Sequence, residues 1–267
     1  MNTSDIAKEA VRIGGQKALE FFKARDQLTI DLKGPQDYVS EADRTVEVTM
    51  INFLQGHFPG DGFLGEESTE IKQTRQWVID PIDGTTNFIR GLPYFCTTLA
   101  LVEKETVIGG WIFDPTRDEL YEANLGQGAY CNGQRLKPNW RKSFSTGLVG
   151  ICHSSRLTAQ ELAGRITGAL ERGAILRQPG AAALMLCDLA AGRLDVLFDQ
   201  HLKPWDSIAG LLIAHEAGAI VSDYLAHPDW RKTPQATFAS GPEIYSEVLE
   251  LWPEARTLSL LSNGDCA

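Results

Sequence analysis

The sequence predicts an α+β N-terminal half, residues 1–138, followed by an α/β C-terminal half, residues 139–267, folded together as one compact unit. Three observations predict it. Apolar residues recur at helical spacing as far as Phe53, β-rich runs punctuated by Gly and Pro then crowd between Trp77 and Ala123, and beyond Lys137-Pro138 strands alternate with helices. No internal repeat or low-complexity tract interrupts this order, and the boundary is placed near Asn139.

Taken in order, the first helix is expected to be capped by Ser4 and carries Ile6, Ala10, Ile13, Phe21 and Phe22 on one face. The polar stretch Lys33-Gly34-Pro35-Gln36-Asp37 breaks it. Ser40-Glu41-Ala42-Asp43 then resembles a capping box ahead of Val46, Met50 and Phe53, which puts Asp43 in the first turn of a second helix. After Gly60-Asp61-Gly62, the short apolar run Trp77-Val78-Ile79 reads as a buried strand delivering Asp80 at its C-terminal end. Strands follow at 97–102, 107–113 and 119–123, separated by Asp114-Pro115 and closed by the Gly126-Gln127-Gly128 turn. In the second half, 147–152 reads as a strand, and Thr158 with Glu161 opens a helix that ends at Gly173. A helix over 181–191, a strand over 194–198 and a helix over 206–217 closed by Gly218 complete the pattern.

A chain of 267 residues with 43% hydrophobic and 22% charged residues has the balance of a globular protein with a sizeable core. Its formal net charge of -10 argues against a nucleic-acid footprint, which requires clustered Lys and Arg. The same acidity would repel phosphate unless metal ions, helix N-termini or a few basic residues supply local positive charge. The five cysteines, Cys96, Cys131, Cys152, Cys187 and Cys266, are scattered and never form Cys-x-x-Cys, so free thiols are expected. No apolar segment approaches the roughly 20 residues that span a bilayer. Met1-Asn2-Thr3-Ser4-Asp5 lacks the start of a signal peptide, so the expectation is a cytoplasmic protein without a membrane partner.

Three acidic clusters fall at predicted turns or element ends: Glu66-Glu67, the Asp80 and Asp83 pair, and Asp206 after Trp205. Alone, Glu66-Glu67 reads as a solvated loop and Asp206 as a helix N-cap. The run Asp80-Pro81-Ile82-Asp83-Gly84-Thr85-Thr86 says more. Pro81 and Gly84 set an unusual turn in which two carboxylates flank the Ile82 carbonyl, although a strand-end turn with capping aspartates has the same composition. Oxygen donors without histidine or thiolate fit Mg²⁺ better than Zn²⁺. Gly84-Thr85-Thr86-Asn87 adds backbone amides and hydroxyls where a helical turn begins, a setting that favours an anion. Ionised Glu66, Asp80, Asp83 and Asp206 carry four negative charges, which two Mg²⁺ would cancel and so admit a phosphate.

Other phosphate chemistries are poorly served. The chain has no Gly-x-x-x-x-Gly-Lys-Ser/Thr loop, and Gly126-Gln127-Gly128 lacks the later glycine of a dinucleotide fingerprint. Cys187 to Arg193 has the Cys-x5-Arg spacing of a cysteine-dependent phosphatase but sits in an apolar, helix-like stretch without a glycine-rich cradle. His57, His153, His201, His215 and His227 show no metal-ligand spacing.

Together, Gly65-Glu66-Glu67-Ser68, residues 77–88 and Trp205-Asp206, with 39–43 upstream and Ala217-Gly218 downstream, resemble the inositol monophosphatase family of lithium-sensitive, magnesium-dependent sugar phosphatases. The resemblance runs in order over nearly the whole chain. It implies a layered αβαβα sandwich, a homodimer, inhibition by Li⁺ and two or three Mg²⁺ ions. In its terms Glu66, Asp80 and the Ile82 carbonyl hold the first metal, and Asp80, Asp83 and Asp206 the second. Glu66 also touches a weaker third ion, Thr85 orients the attacking water and is held by Asp43, and the Gly84 and Thr85 amides bind phosphate. Hydrolysis would then be in line and metal-assisted, without a covalent intermediate. On the substrate side, Ser154, Gly180 and Ala182 fall where the family contacts the ring, and Asp199 falls where inositol-specific members carry a glutamate. The implied substrate is inositol monophosphate or a similar polyol phosphate. The alternatives are histidinol phosphate, fructose bisphosphate or a nucleotide 3'-phosphate on the same fold, or a non-catalytic binding or regulatory protein.

Overall fold

Residues 1–27, 30–34, 37–151 and 158–261 are described in a computed structural model of the chain. Helix α1, Thr3–Lys23, is capped by Asn2, whose side-chain oxygen accepts the Asp5 amide at 2.8 Å, two residues earlier than the expected Ser4. The Ser4 hydroxyl instead accepts the Trp111 indole N–H at 3.2 Å. Helix α2, Glu41–His57, buries Ala42, Val46, Met50 and Leu54, and Asp43 lies in its first turn as expected. The capping side chain expected of Ser40 lies outside the described residues. The hairpin β1, Ile30–Gly34, and β2, Asp37–Ser40, precedes α2.

Seven strands form the first large sheet in chain order: β3 Gly62–Gly65, β4 Arg75–Asp83, β5 Cys96–Glu103, β6 Thr106–Asp114, β7 Glu119–Asn124, β8 Ala129–Cys131 and β9 Gln134–Arg135. Only the β3–β4 pair is parallel. The short helix α3, Thr85–Arg90, follows β4. Strand β4 is longer than its apolar run suggested and is buried from Gln76 to Asp83. Burial on both faces explains why Trp77-Val78-Ile79 is continuously hydrophobic rather than alternating.

The second half builds a five-stranded sheet of order β11-β10-β12-β14-β13. Its strands are β10 Leu148–Ile151, β11 Ile175–Arg177, β12 Val196–Leu202, β13 Ile220–Val221 and β14 Gln235–Ser240. Helices α4 Ala159–Glu171, α5 Ala182–Ala190, α6 Pro204–Glu216 and α7 Tyr245–Leu251 connect or follow them. The Thr158–Glu161 capping box of α4 is present on both sides, with bonds of 3.2 and 2.8 Å.

Helices α1 and α2 cover one face of the seven-stranded sheet, with Val11, Met50, Trp77 and Phe113 in their shared core. Helices α5 and α6 fill the space between the two sheets, and α4 and α7 close the outer face of the second, where Phe198 stacks on Trp252 at 5.5 Å. The result is a layered αβαβα sandwich. The middle layer must be hydrophobic all round, and α5 is buried along its whole length. Each large apolar side chain there contributes about 1.5–3 kcal/mol by leaving water. Two glycines set its depth: a Cβ at Gly110 would stand 2.7 Å from the Ala209 carbonyl oxygen, and one at Gly210 2.7 Å from Leu186. Alanine at either position would push α6, and the site at its N-terminus, out of place.

Candidate active site

Asp80 and Asp83 are three residues apart, so a regular strand would aim them to opposite faces. The pairing of β4 with β5 slips between them: Asp80 faces Thr98 and Asp83 faces Cys96, leaving Pro81 and Ile82 opposite Thr97 alone. The extra residue re-aims the second carboxylate to the side of the first. Proline suits the bulge because it has no amide to offer the ladder. Thr97 Oγ1 donates to the Pro81 carbonyl at 2.9 Å, the Ile82 amide donates to Asp80 Oδ1 at 2.9 Å, and Thr85 Oγ1 donates to the Ile82 carbonyl at 3.0 Å.

Asp206 arrives on α6. Pro204 opens that helix and Lys203 is its N-cap, so Asp206 lies at the third helical position rather than capping as it alone would suggest. Its Oδ2 reaches back to accept the Lys203 amide at 2.9 Å. Thr98 joins the two halves here: its hydroxyl accepts the Asp80 amide at 3.3 Å and donates to the Trp205 carbonyl at 2.9 Å. Carboxylate oxygens of Asp80, Asp83 and Asp206 consequently lie within 4.8 Å of one another. Asp80 and Asp83 are buried, whereas Asp206 keeps partial exposure.

Burial and mutual repulsion dominate the electrostatics. Asp80 is raised well above the usual carboxylate range, first by desolvation and then by the charges of Glu66, Asp206, Asp83 and Asp43. Asp206 is pushed up to about 7 by burial and by Asp83. Asp83 rises only to about 6, because the Ala182 and Ala183 amides oppose its desolvation with bonds of 3.2 and 2.8 Å. Three crowded, poorly solvated carboxylates are an arrangement that a hard divalent cation relieves, and oxygen donors of this kind fit Mg²⁺. Cys96 Sγ lies 3.7 Å from Asp83, but burial holds that thiol well above its ordinary range, so it is a neutral neighbour rather than a thiolate donor.

The charges of Glu66, Asp43 and Asp199 reach this cluster. Glu66 stands just past β3, half-buried, and is the strongest of the neighbouring charges on Asp80. Asp43 is buried on α2, and its charge also reaches Asp80. Gly84, at φ 91°, is the N-cap of α3, so the first amides of that helix, which have no intrahelical acceptor, emerge beside Asp83. A Cβ at Gly84 would meet Ala181 Cβ at 2.9 Å and the Tyr94 carbonyl at 3.0 Å. Gly180, at φ 92°, follows Pro179, while the Ala182 amide is turned onto Asp83. Asp199 is buried on β12 and accepts the His201 amide at 2.6 Å, and its charge acts on Asp206. Ser154 lies outside the described residues.

A model of the inositol monophosphatase family matches residues 2–254. The chain belongs to this family. It is 38% identical to an inositol-1-monophosphatase of Rhizobium meliloti, over 82% of this chain and 84% of that protein. It is also 34% identical to the protein named Nus factor SuhB of Escherichia coli, over 92% and 93% of the two chains. Among solved structures, the extragenic suppressor protein suhB of Bartonella henselae superposes with a TM-score of 0.87 at 31% identity, covering 93% of this chain and 97% of that one. An IMPase of Thermotoga maritima superposes with a TM-score of 0.85 at 29% identity, covering 96% and 99%.

As an inositol monophosphatase family member the chain is a phosphatase, a hydrolase of phosphoric esters. Within that frame the structure adds residues to which the sequence reading gave no role. Asn87 donates to the Tyr94 carbonyl at 2.8 Å and to the Pro179 carbonyl at 2.7 Å, clamping the Gly180 turn to α3. Its place in Gly84-Thr85-Thr86-Asn87 was visible, but a partner 92 residues away was not. Thr98 carried no signal beyond a strand threonine. The Cys187 to Arg193 spacing has no nucleophilic role: Cys187 is buried in α5 with its thiol held well above the ordinary range, and Arg193 pairs with Glu119 at 2.6 Å and Asp188 at 3.1 Å. Among the described residues no helix is long and apolar enough to cross a membrane.

Proposed function

We propose that the chain is a Mg²⁺-dependent phosphomonoesterase that hydrolyses inositol monophosphate or a similar small polyol phosphate to the alcohol and phosphate. The observation that carries this reading is the convergence of Asp80, Asp83 and Asp206 within 4.8 Å at the meeting of β4 and α6, with the Glu66 charge acting on the same group. In this reading Glu66, Asp80 and the Ile82 carbonyl would hold one ion, and Asp80, Asp83 and Asp206 would hold another. When bound, Mg²⁺ lowers the pKa of water and neutralises charge that develops on the leaving oxygen. The Gly84 and Thr85 amides receive the phosphoryl oxygens, pre-aimed donors that need no reorganisation as charge develops. Thr85 Oγ1 would orient the attacking water in line with the leaving alcohol, its proton passing from the Ile82 carbonyl to Asp43 when that carbonyl holds an ion. Gly180, Ala182 and Asp199 would receive the alcohol, with Ser154 assigned to the same side by the resemblance alone.

Phosphate release from a panel of polyol, sugar and nucleotide phosphates, with Mg²⁺ and with chelator, tests the reading. Turnover that needs Mg²⁺ and is greatest on a polyol phosphate is expected. No metal-dependent turnover on any member would sink it. The likeness to a protein named Nus factor SuhB supports a second reading, a regulatory protein that keeps the fold. The retention of Glu66, Asp80, Asp83, Thr85 and Asp206 favours the enzyme, and the same assay separates the two. Inhibition by Li⁺, a homodimer by light scattering and a cytoplasmic location belong to the leading reading and are checked independently.

A further inference from the structure

Helix α2 presents two buried carboxylates one turn apart, Asp43 and Glu47, each 1% exposed. Asp43 acts on Asp80, but Glu47 has no part in the chemistry described above. It lies under the turn that leaves β3. Glu47 Oε2 accepts the Glu67 amide at 3.0 Å; burial raises this carboxyl above its ordinary range, and the Glu67 and Glu66 amides and the Ser68 hydroxyl oppose that rise. On its other side the carboxylate fills the space of a side chain at residue 65: a Cβ at Gly65 would stand 2.5 Å from Glu47 Cδ and both its oxygens. One buried group therefore explains why residue 65 is glycine and where the backbone on both sides of Glu66 is anchored. A carboxylate buried only as filler would be costly, since desolvation disfavours its charge and a hydrophobic side chain fills such space better.

We infer that Glu47 is a positioning residue: it fixes the 65–68 turn from beneath, so that the Glu66 carboxylate is delivered toward Asp80 at the metal cluster. The inference rests on the proposed role of Glu66 as a metal ligand. Groups that orient a ligand without touching the ion change metal affinity typically by about 10–100-fold when removed. Calorimetric titration of Mg²⁺ into the substrate-free protein reads this directly, without turnover. Glu47→Ala is expected to weaken Mg²⁺ binding by about 10-fold or more, and Glu47→Gln, which keeps an acceptor for the Glu67 amide, to stay within about 3-fold of the parent. Where Glu47→Ala does not fold, Gly65→Ala serves in its place, because its Cβ displaces the same carboxylate and should weaken Mg²⁺ binding likewise. A folded Glu47→Ala or Gly65→Ala protein that binds Mg²⁺ with parental affinity overturns the role of Glu47 while leaving the phosphatase reading intact. A parent protein that binds no Mg²⁺ removes that reading and this inference with it.

Discussion

Two acidic positions sit at strand irregularities, and they are held in opposite ways. Asp83 follows the bulge of β4 and is bonded to the Ala182 and Ala183 amides, 99 and 100 residues along the chain, while Thr98 ties Asp80 to Trp205 across 107 residues. Asp199 precedes the slip between β12 and β14, and its bond to His201 spans two residues. The first arrangement exists only when both sheets and the middle helices are assembled. The second includes a bond made within its own strand. A reaction centre built from long-range bonds tolerates little change, whereas the Asp199–His201 bond needs only residues two apart on one strand.

The strongest way to break this contrast is Asp83→Asn. Amide for carboxylate removes a charge from the proposed metal cluster and leaves one oxygen where two accept the α5 amides. We expect kcat to fall by at least ~10³, about 4 kcal/mol of barrier, with the fold retained by circular dichroism. Near-normal turnover would show that Asp83 is a structural cap for α5 and no more.

Removing metal probes the same long-range group through pH. Asp206 and Asp83 titrate near 7 and 6 in the folded chain against about 3.8 in an unfolded one. At these two groups the folded protein then holds more protons than the unfolded protein between these values, so their contribution to stability is fully present below about pH 4 and is lost as pH rises through about 7. Chelated protein should lose at least about 5 °C of Tm between pH 5 and pH 8, and millimolar Mg²⁺ should restore most of it at pH 8. A chelated Tm that climbs over this interval would contradict the repulsion on which the metal reading stands.

Asn87→Ala tests the clamp between the halves. It strips two donors from the partly buried carbonyls of Tyr94 and Pro179, and each such loss costs about 1–2 kcal/mol. A stability loss of ~2–4 kcal/mol by urea denaturation is expected, together with a rise in KM larger than the fall in kcat, because the Gly180 turn loosens while the acidic cluster stays. Equal falls in kcat and kcat/KM would place Asn87 with the reaction centre instead.

These differences follow what the chain makes legible. Helical periodicity, the Thr158–Glu161 cap and the apolar run before Asp80 are local, so α2, α4 and β4 could be read from residues near one another. The acidic run at the end of β4 was equally plain, because Pro81 and Gly84 mark an irregular backbone. What escaped was pairing. Neither the re-aiming of Asp83 by a bulge nor its bond to α5 follows from spacing, and Asp206 alone reads as a cap until Thr98 brings α6 to β4. Glu47 was hidden for the same reason, since its partner lies 20 residues on and its signature is a missing side chain at Gly65.

Asp199→Glu should have the smallest effect and sharpens the comparison most. One added methylene carries the carboxyl farther from β12, to the length that the resemblance associates with inositol recognition. If Asp199 acts on the alcohol, the ratio of kcat/KM for inositol monophosphate to that for a shorter polyol phosphate should rise by about 10-fold, the low end of what one methylene in a pocket contributes. The Mg²⁺ concentration for half-maximal turnover should not move, because the cluster of Asp80, Asp83 and Asp206 is fixed by other bonds. Its charge does reach Asp206, however, so the two roles can be told apart in one experiment. Selectivity moving alone keeps Asp199 on the substrate side. Mg²⁺ dependence moving with it would join Asp199 to the metal cluster, and the division between a long-range reaction centre and a locally set substrate side would then fall one residue group farther into the second sheet.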